Sequence, residues 1–276
     1  MAGSSSPLLP IASEAEIVRR IATGGRALVA LSGGVDSGLV AALAREALGS
    51  GVTAVTLTGT AVAREEVDRA SAVARALGIE HTTVPADPIE NAEYRANAAD
   101  RCYHCRSVEG AALRAWGTGR GISQYLDGVH ADDVGDDRPG LRAMDEAGFV
   151  HPLLTAGWGK AAVRAAAHRR GLPNWDRPSN ACLASRVARG EPITPELLHR
   201  VEAAEAVVSG EGFRRVRVRV GPDGARIEVD PDDVRRLSTE PLASEILERV
   251  RAIGFVRVTI DPYGYAALHR TLPVVR

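Results

Sequence analysis

The stretch Ala27-Leu28-Val29-Ala30-Leu31-Ser32-Gly33-Gly34-Val35-Asp36-Ser37, running on into Gly38-Leu39-Val40-Ala41-Ala42-Leu43-Ala44, decides the fold. An apolar, partly β-branched run that breaks at Ser-Gly-Gly and then resumes describes a buried parallel strand, a tight turn and a helix. The turn therefore lies at a helix N-terminus, where unpaired N–H groups and the positive end of the helix dipole favour a phosphate. Gly33 and Gly34 let the backbone approach that phosphate closely. Ser32 and Ser37 add hydroxyl donors, and Asp36 is a candidate Mg²⁺ ligand or water orienter beside the phosphates. The alternative is an ordinary strand-to-helix turn in which Ser, Gly and Asp serve only as caps.

The turn lacks the Gly-Lys-Ser/Thr closure of a P-loop and is not a Gly-x-Gly-x-x-Gly dinucleotide fingerprint. Ser32 to Ser37 instead resembles the PP-loop of the N-type ATP pyrophosphatases. That resemblance implies an enzyme that activates a carbonyl or carboxyl oxygen by adenylylation and releases pyrophosphate. It specifies the superfamily and leaves the substrate open.

Outward from this unit the alternation continues. Val52 to Leu57 reads as a second strand, Arg64 to Leu77 as an amphipathic helix, and His81 to Val84 as a third strand. A helix around Ser107 to Trp116, a strand at Gln124 to Asp127 and a helix from Lys160 to Arg170 follow, the last ending at Gly171. The pattern predicts an α/β fold with a doubly wound parallel sheet that binds ligands at the carboxyl ends of its strands. Past residue 190 the grammar changes to a helix at Pro195 to Ser209, strands at Val216 to Val220 and Ala225 to Val229, a helix at Leu242 to Ile253, and a strand at Phe255 to Ile260. This predicts a small C-terminal α+β domain. Arg189-Gly190-Glu191-Pro192 punctuates the boundary, giving domains at 1–188 and 189–276.

At 276 residues the chain accommodates two domains. With 34 basic and 35 acidic side chains and a net charge of −1, nothing global calls for a nucleic acid or an anionic membrane. No run reaches the length of a membrane span, and the start lacks the regions of a signal peptide, so a cytoplasmic protein is expected.

Three cysteines occur: Cys102 and Cys105 in Cys-Tyr-His-Cys, and Cys182 in Ala-Cys-Leu-Ala-Ser-Arg. An odd number argues against a disulfide framework. The three supply thiolates for a four-iron four-sulfur cluster with one iron open to an exogenous ligand such as sulfide. A structural zinc site, a dithiol or persulfide role, and inert thiols are the alternatives. His104 lies between the two cysteines, where its ring would struggle to reach the same metal. Arg177 and Arg186 are cations that would favour the thiolate of Cys182.

Ser32 to Ser37, Arg101-Cys102-Tyr103-His104-Cys105-Arg106, Arg138-Pro139-Gly140-Leu141-Arg142-Ala143 and Ala181 to Arg186 together resemble the ATP-dependent sacrificial sulfur transferases, the LarE family, over about residues 15 to 260. The resemblance implies adenylylation of a carboxylate of pyridinium-3,5-biscarboxylic acid mononucleotide and replacement of oxygen by sulfur, in making a nickel-pincer cofactor. In one branch of that family a lone cysteine at the Cys182 position gives up its sulfur and becomes dehydroalanine. The trio Cys102, Cys105 and Cys182 resembles the other branch, in which three cysteines hold a cluster. The resemblance further implies ATP, Mg²⁺ and a [4Fe-4S] cluster as cofactors, a sulfide donor, and a homo-oligomer. It places Arg217, Arg219 and Glu228 near the sulfur-transfer site, with Glu205 as a further candidate.

Arg215, Arg217 and Arg219 alternate, so they share one strand face, either as solvated arginines or as a clamp for phosphate and carboxylates. Arg186 is a candidate to stabilise the leaving adenylate or a thiolate. The acidic loop Asp127 to Asp137 is either a solvated turn or a nucleotide contact, with Gly128 permitting close approach and Asp132 helping to place Mg²⁺. His130 and His151 depart from the family, which more often has Asn and Ser there. A tRNA thiolase would share the loop and the cysteines but needs a basic RNA-binding surface. An amide-forming synthetase would need an ammonia source, and a non-catalytic ATP or iron sensor would leave the loop and Cys182 without a reaction.

Overall fold

The computed structural model describes residues 12–134, 139–178 and 181–265. The chain divides into two compact units, one comprising Met1–Tyr94 and Ala99–Asn180, the other Arg95–Ala98 and Ala181–Arg276.

The elements of the first unit are α1 (Glu14–Ala22), β1 (Ala27–Ala30), α2 (Val35–Leu48), β2 (Val52–Thr58), α3 (Arg64–Leu77), β3 (Glu80–Pro85), α4 (Ala92–Arg95), α5 (Arg101–Gly117), β4 (Gln124–Leu126), α6 (Pro139–Glu146), β5 (Phe149–Val150), α7 (Pro152–Thr155) and α8 (Lys160–Arg169). All five strands run parallel in the order β3-β2-β1-β4-β5. Alternate residues of β1 feed two cores. Ala27 and Val29 pack with side chains of α1, α2, α3 and α8, whereas Leu28 packs with Leu113 of α5 and Met144 of α6. A strand buried on both faces reads as an unbroken apolar run, which is why the sequence shows no alternation there. The strand order reverses between β1 and β4, and the expected α/β sheet has its ligand crevice at that point.

The second unit contains α9 (Pro195–Ser209), β6 (Val216–Gly221), β7 (Gly224–Val229), α10 (Val234–Leu237), α11 (Leu242–Ala252) and β8 (Val258–Ile260). β6 and β7 form an antiparallel hairpin, and β8 joins β7 in parallel. Val218, Ile227, Leu198, Val201 and Ile246 are buried completely and form its interior. Residues 181–188 go with this unit for a physical reason. Ala188 donates its N–H to the Val220 carbonyl at 2.7 Å, and Arg219 reaches the Ser185 carbonyl at 3.0 Å. Asn97, buried and left-handed at φ 54°, ties Arg95–Ala98 to the same unit by donating to the carbonyls of Ala188 and Glu191 at 2.8 and 3.0 Å.

Candidate active site

The nucleotide loop leaves the end of β1. Thr56 donates its hydroxyl proton to the Leu31 carbonyl at 2.7 Å, so His81 Nε2, 2.8 Å from Thr56 Oγ1, must be the donor to that hydroxyl oxygen. Burial pushes the His81 pKa below its usual value, in keeping with a neutral ring there. Ser32 and Ser37 then close the turn. Their hydroxyls lie 3.0 Å apart, the Ser32 N–H donates to Ser37 Oγ at 3.1 Å, and Ser37 Oγ donates to the Gly34 carbonyl at 3.3 Å. Gly33 adopts φ +79°, and a Cβ there would also lie 2.9 Å from backbone atoms of Glu66 and Ala70. Both the conformation and the space therefore demand glycine. Gly34 is the N-cap of α2 and offers no capping side chain, leaving the first amides of the helix to an anion.

Gly128 follows β4 across the crevice. A Cβ on it would lie 2.5 Å from the Ser37 nitrogen and 2.8 Å from the Asp36 carbonyl carbon, so only glycine lets this loop press on the start of α2. Asp36 lies at the same point with both carboxylate oxygens on Lys160 Nζ, at 2.7 and 2.6 Å. His130 Nε2 stands 3.7 Å from Asp36 and 3.5 Å from Asp133. Asp132 turns instead to the N-terminus of α8, accepting from the Lys160 N–H at 2.6 Å.

Two residues of this constellation carry no sequence signal as site residues. Lys160 reads only as the start of a helix, and Asn174, which donates to the Gly33 carbonyl at 2.9 Å, reads only as part of a loop. The residues Gly135 to Arg138, part of the acidic loop and of the Arg-Pro-Gly motif quoted above, lie outside the described residues, as do Ser179 and Asn180 just before the Cys182 motif.

Cys102 and Cys105 sit in the first turns of α5, three residues apart and so on one face. Arg101 Nη2 lies 3.9 Å from Cys102 Sγ, while Cys105 Sγ donates to Glu109 at 3.4 Å. The His104 ring points to carboxylates on both nitrogens, Glu93 at 3.2 Å and Asp100 at 3.1 Å. Two thiols on one helix face suit two corners of a cubane. Cys182 belongs to the other unit. Among the described residues no group of three or more His, Cys, Asp or Glu is gathered to hold a metal ion.

In the second unit Cys182 precedes a 3-10 turn at Leu183–Arg186. Arg186, 1% exposed, organises that turn from beneath. Its Nη1 donates to the carbonyls of Ala181 and Cys182 at 2.6 and 3.1 Å and to Ser185 Oγ at 3.0 Å. Its Nε and Nη2 grip the two oxygens of Glu205 at 2.7 and 3.0 Å. Glu205 in turn accepts the Val218 N–H at 3.0 Å, anchoring the pair to β6. Arg186 therefore touches the cysteine through its carbonyl and holds its loop.

The hairpin register sets Arg217 opposite Glu228 and Arg219 opposite Arg226. Arg219 Nε donates to Glu228 at 3.1 Å, and Arg215 pairs with Asp230 at 2.9 Å. Arg217 is buried. Burial, with the charge of Arg186 and in lesser degree Arg219, brings its pKa down to about 10 against the opposing pull of Glu205. A cation so disfavoured would gain from an anion, and planar guanidinium suits phosphate and carboxylate.

The asparagine synthase family matches residues 15–107, the part that carries the nucleotide loop. An uncharacterized protein of Synechocystis sp. is 39% identical over 249 residues, covering 90% of this chain and 93% of its own. The pyridinium-3,5-bisthiocarboxylic acid mononucleotide synthase of Lactiplantibacillus plantarum is 33% identical over 241 residues and 87% of each chain. An uncharacterized protein of Methanocaldococcus jannaschii is 25% identical over 85% of this chain. With that likeness to the synthase spanning both units, and a PP-loop built at the β1/β4 switch point, this chain belongs to the LarE family.

Proposed function

We propose that the protein is an ATP-dependent sulfur transferase that adenylylates a carboxylate of pyridinium-3,5-biscarboxylic acid mononucleotide and exchanges its oxygen for sulfur. The observation that carries this reading is the closed Ser32–Ser37 turn under Gly128, in a chain 33% identical to the bisthiocarboxylic acid synthase over 87% of its length. A substrate carboxylate oxygen attacks the α-phosphorus of ATP, and the bond to the β-phosphate oxygen breaks to release pyrophosphate. Ser32, Ser37 and the first amides of α2 receive the charge on the pyrophosphate. Asp36, whose two oxygens rest on Lys160 in the structure, would hold the Mg²⁺ that accompanies ATP once the ammonium moves to the phosphates. A sulfur nucleophile then attacks the acyl carbon, AMP departs with the bonding pair, and a thiocarboxylate remains. Two rounds convert both carboxylates.

Arg217 and Arg219 bind the substrate's anionic groups, and Glu228 orients Arg219. Arg186 and Glu205 hold the backbone of Cys182 in place. Cys102, Cys105 and Cys182 are the proposed thiolate ligands of a [4Fe-4S] cluster, which when bound supplies an iron open to sulfide. The soluble substrate and a sulfide donor are then its partners, with self-association expected from the family.

The test is stoichiometric. Anaerobic protein with Mg·ATP, sulfide and the biscarboxylic mononucleotide should release pyrophosphate and AMP in step with thiocarboxylate formed. Pyrophosphate release that ignores the mononucleotide would reject the proposed substrate. An unchanged chain mass supports cluster delivery. A loss of about 34 Da, the H₂S removed as a cysteine yields dehydroalanine, would instead make Cys182 the consumed donor.

A further inference from the structure

We propose that His151 is a positioning residue for the nucleotide loop: held between Asp127 and Asp145, it fixes the buried carboxylate from which the chain turns into Gly128. The inference rests on reading Ser32–Ser37 as the nucleotide site. His151 stands between β5 and α7, and is buried. Its Nδ1 lies 2.6 Å from Asp127 Oδ1 and its Nε2 3.1 Å from Asp145 Oδ1. Ionised carboxylates only accept, so a ring between two of them donates from both nitrogens and carries a proton on each.

Asp127 explains why that charge is placed there. It lies at the carboxyl end of β4, buried, and its Oδ1 also accepts the Val129 N–H at 3.1 Å, bridging over Gly128. Its Oδ2 is buried without a hydrogen-bond partner among the described residues. A buried carboxylate half-satisfied in this way is costly unless a cation accompanies it. His151 supplies that cation. Without it the Asp127 carboxylate loses its charged partner and turns outward, which moves the loop whose glycine presses on the Ser37 nitrogen.

The charged groups facing His151 are Asp127 from the end of β4 and Asp145 from α6. His130 of the same loop faces Asp36 and Asp133 instead. Burial opposes the charged ring, but the hydrogen bonds and charges of Asp127, then of Asp145, outweigh it and raise its pKa above the usual histidine value.

The experiment is calorimetric titration of the full chain with α,β-methylene-ATP and Mg²⁺ between pH 6 and 9, for wild type, His151→Ser and Asp145→Asn. Wild-type affinity should hold until the pH passes the raised His151 value and then fall. His151→Ser should bind roughly tenfold to a hundredfold more weakly at neutral pH, the effect of a misplaced site, and show no such break. Asp145→Asn, outside the nucleotide loop, should match wild type at pH 6 and lose affinity at a lower pH than wild type. Wild-type affinity in His151→Ser, or an Asp145→Asn profile superimposed on wild type, overturns the proposal. Should His151→Ser fail to fold, the Asp145→Asn profile decides alone. A wild-type chain that binds no analogue overturns the nucleotide reading along with it.

Discussion

The ammonium of Lys160 lies between the two carboxylate oxygens of Asp36, 2.7 and 2.6 Å away. Lys160 opens α8, and its own N–H binds Asp132, so both its backbone and its side chain tie that helix to acids of the crevice. A divalent cation at Asp36 must displace this ammonium, which is then free to meet the phosphates. Lys160→Met should therefore bind Mg²⁺ alone more tightly than wild type. It should still lower pyrophosphate release roughly 100-fold, as when one charge-stabilising donor is removed. Metal titration and turnover, measured on the same variant, check the two opposite signs.

Gly128→Ala adds a methyl group 2.5 Å from the Ser37 nitrogen, where backbone has to give way. Because the displaced atoms belong to the proposed phosphate-binding turn, ATP turnover should fall by about 100-fold. Thermal melts should change far less than activity, since Gly128 sits at a loop and not in a core.

Removing Arg186 leaves Glu205 as an uncompensated charge against β6, and removing Glu205 does the same to Arg186. Arg186→Ala should cost about 3 to 5 kcal/mol in urea unfolding, as for a broken buried pair. The double variant Arg186→Met with Glu205→Leu should recover part of that stability and none of the sulfur transfer, because the Cys182 loop loses the donor to its carbonyls.

The two cysteines on α5 offer a test independent of Cys182. Cys102→Ala with Cys105→Ala should abolish iron and acid-labile sulfide in anaerobically purified protein and leave ATP binding intact. Retained activity without iron would make both thiols bystanders.

His151 predicts a slope in stability as well as in affinity. Its folded pKa is raised, so the stabilisation from its pairing with Asp127 and Asp145 is complete below the unfolded value near 6.5. That stabilisation is lost as the pH climbs through the folded value. Denaturant midpoints of wild type should decline over that window, and those of His151→Ser should not.

What was legible in the sequence follows from how local each signal was. β1, the glycine turn and α2 announce themselves because strand, breaker and helix adjoin within eighteen residues. α5 begins at Arg101, well before the Ser107 suggested by periodicity, because Cys-Tyr-His-Cys-Arg has no apolar stripe. The two-residue β5 and the four-residue α7 are too brief for a periodic pattern, whereas α1 carries one, Ile17 and Ile21 four apart behind a Ser13 cap, and was legible though missed. Lys160 and Asn174 were invisible as site residues because their partners stand 124 and 141 positions away. In the second unit the alternation of arginines was plain in advance, but their different fates were not. The register sets Glu228 opposite Arg217, yet the Glu228 side chain accepts from Arg219, and Arg217 is left buried with the charge of Arg186 opposing its own.

If the proposed reaction is right, a mononucleotide carboxylate is activated by ATP and then thiolated. Mass spectrometry of the mononucleotide after one incubation with Mg·ATP and sulfide, with AMP and pyrophosphate quantified in the same tube, tests it most directly. One AMP and one pyrophosphate should appear for each oxygen replaced by sulfur, and no thiolation should occur without ATP. A mononucleotide recovered unchanged while ATP is consumed would contradict it.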